Sequence, residues 1–456
     1  MNFWVYFLLC LSSCSGFFIN FPFGKSFSIK EKEVNKALDY ILPIEKQTVI
    51  NKINGMFAII GPDIDFKNVS NLFDLFIGDG VIQSIFFDNG KITYVKHYIR
   101  TEKILYEEKN GIFPKNIFLK LIFIVMNKIN VMPNILGVAN TALLNVNNKI
   151  YALNERDIPY LLDINFKEKK INTIKKTTIP FMNYFSAHSK YDKTIDSIEY
   201  NIITNNVKYH ELTENFNSIK QKTIKTKNVP IIHDFLIMNN KILITDSPII
   251  INFKDIFKKS MPVQLENNKQ TFVRILDKNT MKIDTYVSPI GFYIFHYADY
   301  KENDSTIEIY AALYNELDFS QLNIIGKYRK LILDKKTHNI SIVKNEELEN
   351  LDLEFPIKFG DKIVFRNVED KRINGFVVCH GLEIIKKIVF EDKFISGEPA
   401  IHYLEDVPHL ITFAFNDAAD KEGYILVINM DTYEEIAIPI NEQLSVGFHS
   451  IFIEAS

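Results

Sequence analysis

The stretch LVINMDTYEEIAIPI (Leu426–Ile440) decides the fold. Two short runs rich in Ile and Val flank a polar turn, the pattern of a β-hairpin, and DKKTHNISIVK (Asp334–Lys344) repeats it. Working outward, KIYALNE (149–155), VPIIHDFLIM (229–238), KILITDSPIIINF (241–253), GFYIFHYAD (291–299), TIEIYAALYN (306–315), YRKLILD (328–334) and HLITFAFND (409–417) are further short strands dominated by Ile, Val, Phe and Tyr. Turn residues such as NN, DNG, DKNT and DKEG bound many of them. Helical periodicity is scarce after position 134. Many short strands at even spacing indicate an all-β sandwich, barrel or propeller. Length favours the propeller, because a four-stranded blade uses about 40–50 residues and several fit. No sharp internal repeat accompanies them.

Bulk properties narrow the partners. The chain has 456 residues, 47% hydrophobic and 24% charged, with a formal net charge of -3. That composition supports a large core. Lys and Arg are scattered and show no excess, so nucleic acid is excluded as the main partner. Three cysteines, Cys10, Cys14 and Cys379, are too few for a disulfide scaffold.

Two apolar stretches stand apart. Residues 1–24 form an uncharged apolar N-terminal segment that resembles a signal peptide without its basic start. It is also readable as a membrane-contacting or core-packed segment, its apolar run being too short to span a bilayer. GIFPKNIFLKLIFIVMNKINV (Gly111–Val131) carries Lys115, Lys120 and Lys128 among bulky apolar residues. A buried helix and a patch resting on lipid with snorkelling lysines both fit it, with Ile122, Phe123 and Ile124 as the lipid-contacting centre in the second case.

Chemistry enters with the histidines. Of ten, His97, His210 and His338 lie in polar surroundings and are expected to be solvated. Four sit in apolar strand contexts: His188 in FSAHSKYD (Phe185–Asp192), His233 in VPIIHDFLIM, His296 in GFYIFHYAD and His449 in SVGFHSIFIEA. Any one of them alone reads as a half-buried core residue. The steps from 188 to 233 and from 233 to 296 are 45 and 63 residues, near a blade period. Histidines on the inner strands of successive blades would converge on the propeller axis and there form a metal site.

These residues also carry a resemblance. SAHSK is similar to the S-A-H-P-K motif of the carotenoid cleavage oxygenases, with Ser189 where Pro is usual. HDF matches that family's H-D-F, with Asp234 and Phe235 after His233. FHYADYKE resembles F-H-x-x-N-A-x-E, with Asp299 for Asn and Glu302 kept, and GFHSIF resembles G-F-H-G-x-F, with Ser450 for Gly. Phe76–Lys103 resembles the family's F-D-G-D-G-M segment and hairpin, and ANTALLNVNNKIYALNERD (139–157) its N-T hairpin leading into a glutamate strand. The resemblance runs from about Gly55 to the C-terminus and covers a group that includes apocarotenoid oxygenases, stilbene-cleaving relatives and the vertebrate retinyl-ester isomerohydrolase of the retinal pigment epithelium membrane protein family.

The resemblance implies a seven-bladed β-propeller, residues 25–456, with a helical and loop cap over the metal face. It implies one Fe(2+) per chain held by His188, His233, His296 and His449, with Glu155, Glu354 and Glu398 accepting the N–H groups of those rings. Only three acids are available for four rings, so His188 is the ring expected to lack one. The implied activity is oxidative cleavage of a conjugated double bond of a carotenoid or apocarotenoid by O2, giving carbonyl products, with no side-chain nucleophile or base. Such substrates imply an apolar tunnel and a peripheral membrane or lipid surface as partner. The expected location is cytoplasmic and membrane-associated, or secretory if residues 1–20 are a signal. A retinoid isomerohydrolase and a non-catalytic carotenoid- or lipid-binding propeller remain alternatives, the latter kept open by Ser189, Asp299 and Ser450.

Overall fold

The structure, a computed structural model, describes residues 23, 28–64, 72–114, 117–252, 263–317, 319, 324–369, 372–416 and 423–455. The chain divides into two compact units, Met1–Ile29 with Glu102–Ile135, and Lys30–Thr101 with Leu136–Ser456.

The larger unit is a seven-bladed propeller of antiparallel sheets. Both hairpins read from the sequence are present: Lys327–Asp334 pairs with Ile340–Val343, and Gly423–Asn429 with Glu435–Pro439. Asn89, Asn147, Asn148, Asn205 and Asn239 take positive φ at the hairpin turns, a conformation their short polar side chains tolerate. Six blades each come from one continuous stretch of chain, one of them with the separately paired strands Ile249–Ile251 and Val263–Leu265 inserted between its second and third strands. The remaining one joins the two ends of the unit: Ser450–Glu454 pairs antiparallel with Gly55–Pro62, with Ile59 opposite Ser450 and Gly55 opposite Glu454. This pairing covers one edge of Gly55–Pro62 and ties the last strand to the blade formed near the start of the unit.

The blades pack face to face through apolar side chains. Phe57, Ile59 and Ile85 meet Ile411, Phe413 and Ile425 across the seam, and Leu243 and Ile275 meet Ile309 and Leu331 between two central blades. All of these are buried, and each such side chain contributes about 1.5–3 kcal/mol on burial. Fully apolar inner strands, such as Gly55–Pro62 with every position buried, follow from contact on both faces. The inner position of the last blade is shared by Lys393–Ile395 and Ala400–Leu404, both pairing with Val407–Asn416. The break between them holds Gly397 at φ +91°, where a Cβ would lie 2.5 Å from the Gly447 carbonyl oxygen. Only glycine fits that approach.

The smaller unit contains the helices Glu102–Asn110 and Ile117–Lys128. Phe23, Phe113 and Phe123 form its aromatic core, with ring centroids 5.0–5.9 Å apart. Of the two readings left open for this stretch, the buried helix holds at Phe123, which is completely buried, while Ile122 and Ile124 are half-buried. Among the described residues of this stretch, the exposed large apolar side chains are Ile112, Ile129 and Val131, which flank the helix. Apart from Phe23, the segment 1–24 lies outside the described residues. No helix among the described residues is long and apolar enough to cross a membrane.

Candidate metal centre

His188 and His233 lie just before the inner strands Lys190–Tyr191 and Leu236–Met238, His296 lies within Tyr293–Glu302, and His449 immediately precedes Ser450–Glu454. The four candidate ligand nitrogens all lie within 4.8 Å of one another. The Nε2 atoms of His188 and His233 are 3.0 Å apart, and the ring centroids of His188 and His449 are 4.4 Å apart. The convergence expected from four distant strand contexts is therefore present.

The carboxylates stand behind the rings. His233 Nδ1 donates to Glu155 Oε1, and His296 Nδ1 donates to Glu354 Oε2 at 2.6 Å. His449 Nδ1 is 3.3 Å from Glu398 Oε1. A carboxylate that accepts a hydrogen bond from Nδ1–H holds the proton on that nitrogen and leaves Nε2 with its lone pair aimed at the centre. The three acids are held in turn. Glu155 Oε2 accepts from the Tyr200 hydroxyl at 3.4 Å, Glu354 Oε2 from the Phe355 N–H at 2.8 Å, and Glu398 Oε2 from the Ser450 N–H at 2.9 Å. The His188 ring meets only the other imidazoles among the described aromatic contacts, which leaves it the one without an acid.

Electrostatics matches this geometry. Burial, reinforced by His449, His233 and His296, holds His188 well below the ordinary histidine range and hence neutral. Burial also lowers His449, against the opposing pull of Glu398. For His296 burial acts downward but the Glu354 carboxylate outweighs it. Burial pushes Glu354 up, yet His296, Tyr314 and the Phe355 N–H together carry it below the usual carboxylate range. Imidazole nitrogens backed by carboxylates are a donor set for a divalent transition metal. One further observation tests that fit. His296 Nε2 is buried without a hydrogen-bond partner, an arrangement that costs about 1–3 kcal/mol unless something at the centre takes the lone pair. A cation among the four nitrogens would do so.

The flanking motif residues also find physical roles. Lys190 forms an ion pair with Asp234 and lies 4.5 Å over the Phe235 ring, while Asp234 Oδ2 accepts the Tyr297 N–H at 3.3 Å. The segments bearing His188, His233 and His296 are thus tied together one residue or more from each histidine. Two of the three departures from the family pattern have side-chain partners, whereas the Ser450 hydroxyl is buried without one among the described residues. Ser189 Oγ lies 2.9 Å from the Ser186 carbonyl oxygen and 2.8 Å from Ser197 Oγ, Asp299 pairs with Lys358 at 2.6 Å, and Ser450 serves Glu398 through its backbone. Glu302 pairs with Lys241 and Lys335 at 2.5 and 2.8 Å, away from the centre. Two solvated histidines were expected and are not found. His210 is fully buried beside Phe181 and Glu199, and His97 is buried against Glu33 at 2.9 Å. Their polar neighbours in sequence alternate to the other side of the strand, so local polarity misleads there. His338 is exposed as expected.

If the acids set metal affinity, Glu354→Gln weakens Co(II) binding about 10–100-fold, measured by competition with a chromophoric chelator. Unchanged affinity in the folded variant would separate Glu354 from the centre.

Residues 48–358 match the retinal pigment epithelial membrane protein family. Among curated proteins, a carotenoid 9,10(9',10')-cleavage dioxygenase 1 of Phaseolus vulgaris is 24% identical, covering 88% of this chain and 84% of its own length. A chloroplastic 9-cis-epoxycarotenoid dioxygenase of Arabidopsis thaliana is 24% identical over 83% of this chain and 73% of its own. Among solved structures, cobalt-substituted apocarotenoid oxygenase from Synechocystis superposes with a TM-score of 0.73 at 16% identity, covering 95% of this chain and 98% of that one. Lignostilbene dioxygenase from Pseudomonas brassicacearum gives 0.74 at 14% identity, over 92% and 96%. The propeller and the family match agree, and the chain belongs to the retinal pigment epithelial membrane protein family, the carotenoid cleavage oxygenases.

Proposed function

We propose that this chain is an iron(II)-dependent dioxygenase that cleaves a conjugated double bond of a carotenoid or apocarotenoid. The observation that carries the reading is the convergence of four imidazoles within 4.8 Å, three of them backed by glutamates. His188, His233, His296 and His449 would hold one Fe(II) per chain. Neutral ligands leave the ion its full charge, and imidazole suits iron. When bound, Fe(II) supplies the redox partner and open coordination that let O2 react with a polyene. Glu155, Glu354 and Glu398 keep the Nδ1 protons of His233, His296 and His449 in place. The chain's remaining tasks are to bind the polyene, set which bond lies beside the metal, and exclude water. Phe295 and Phe355, whose rings lie 5.6 Å from His233 and 5.0 Å from His296, supply apolar surface close to the centre. No side chain acts as nucleophile or base, since both oxygen atoms of O2 end in the two carbonyl products.

Aerobic incubation of the Fe(II)-loaded protein with a panel of carotenoids and apocarotenoids should give two carbonyl fragments. Their combined mass equals that of substrate plus two oxygen atoms. An intact panel, with the protein folded and loaded, contradicts the reading. Release of a free alcohol from a retinyl ester would assign the isomerohydrolase reaction instead.

Polyenes are nearly insoluble in water, so collecting them requires a lipid surface. The exposed Ile112, Ile129 and Val131 of the helical unit suit that contact. Replacing all three with serine should lower liposome binding while metal content stays at one per chain. Unchanged liposome binding would remove this stretch from the membrane contact.

A further inference from the structure

A hydrogen bond at Nδ1 fixes one atom of an imidazole but leaves the ring free to tilt about that atom. Two of the candidate ligands have a second restraint. The Phe355 ring lies 5.0 Å from the His296 ring and 4.9 Å from the His449 ring, at 38° to each. The need is greater for His449, whose Nδ1 is 3.3 Å from its acid, against 2.6 Å for His296.

Phe355 is held in place at some cost. It takes φ +53°, in the left-handed region where a bulky side chain is rarely found. The pairing register of its strand shifts between Glu354 and Ile357, the mark of a β-bulge that re-aims side chains. That one backbone kink does two things. It turns the Phe355 N–H onto Glu354 Oε2, and it swings the ring against two imidazoles. Over the same ring lies Arg366, its guanidinium carbon 4.0 Å from the centroid. Arg366 sits on the adjacent strand Lys362–Glu369, directly opposite Glu354. Its Nε is buried with no hydrogen-bond partner. A cation in that setting is anchored by the aromatic face and the nearby carboxylates rather than by a direct ion pair.

The geometry points to Phe355 and Arg366 as positioning residues of the metal centre, the guanidinium clamping the ring and the ring fixing the tilt of His296 and His449. This inference rests on the metal-binding reading above. Neither residue touches the metal position itself, so their loss changes the geometry and strength of binding without removing a donor.

Co(II) is the probe, read by chelator competition and by its electron paramagnetic resonance spectrum, with thermal melts confirming the fold of every variant. Phe355→Leu and Arg366→Met should each still bind one Co(II) per chain, with affinity lowered about tenfold and an altered spectrum. Arg366→Lys, which keeps a cation over the ring, should recover most of both. If Phe355→Leu fails to fold, Arg366→Met decides alone, because it leaves the kinked backbone untouched. Wild-type affinity and spectrum in Arg366→Met would overturn the inference, as would an Arg366→Lys variant as impaired as Arg366→Met. Absence of Co(II) binding by the unsubstituted protein would overturn the metal reading and this inference with it.

Discussion

Unshared electron pairs of buried imidazoles repel one another unless a proton or a cation lies between them. The architecture of this chain answers to that constraint. Four rings are carried inward by separate blades, and the Nε2 atoms of His188 and His233 come within 3.0 Å. Three glutamates fix the protons on the far side of three rings, which commits those Nε2 atoms to the centre. Leaving His296 Nε2 unpartnered in a buried site is destabilising by itself. Such a cluster persists because a propeller supplies a stiff frame, with apolar faces packed blade on blade, and because a cation can repay the repulsion.

The frame also explains how the same point is reached from both ends of the chain. His449 sits seven residues from the C-terminus, yet the strand that follows it pairs with Gly55–Pro62 and completes the first blade. The backbone hydrogen bonds continue past the strand itself. Ile60 N–H donates to the His449 carbonyl at 3.0 Å, and Phe448 N–H donates to the Ile60 carbonyl at 2.8 Å. Ring closure and placement of the last candidate ligand are therefore one event. Gly397 joins them to the acid: its left-handed backbone lets the SGEP turn pass close to Gly447, and Glu398 N–H then donates to the Phe448 carbonyl at 2.9 Å.

Much of this was legible in the sequence because the strands are locally distinctive. Short β-branched and aromatic runs with Asn-containing turns identify hairpins, and the motifs around four histidines identify the centre. What was not legible depends on contacts between segments distant in sequence or made only by the folded backbone. The burial of His210 and His97 reflects which face of a strand is covered, and their neighbours gave no sign of it. Ser189, Asp299 and Ser450 read as possible signs of lost function. The partners of Ser189 and Asp299, namely Ser186, Ser197 and Lys358, are 3, 8 and 59 positions away, and with them those two departures become tolerable; at Ser450 the backbone N–H donates to the Glu398 carboxylate, 52 positions away. Phe355 and Arg366 had no signal at all, since a positive φ at a phenylalanine and a cation across a β-bulge exist only in the folded chain.

The central claim is that one metal ion is bound by four imidazoles and no carboxylate. X-ray absorption at the iron K-edge of the Fe(II)-loaded protein tests it most directly. The account predicts one iron per chain with four nitrogen scatterers at about 2.0–2.2 Å, carrying the outer-shell pattern of imidazole rings. Fewer than four imidazoles, or a carboxylate oxygen among the protein ligands, would contradict it.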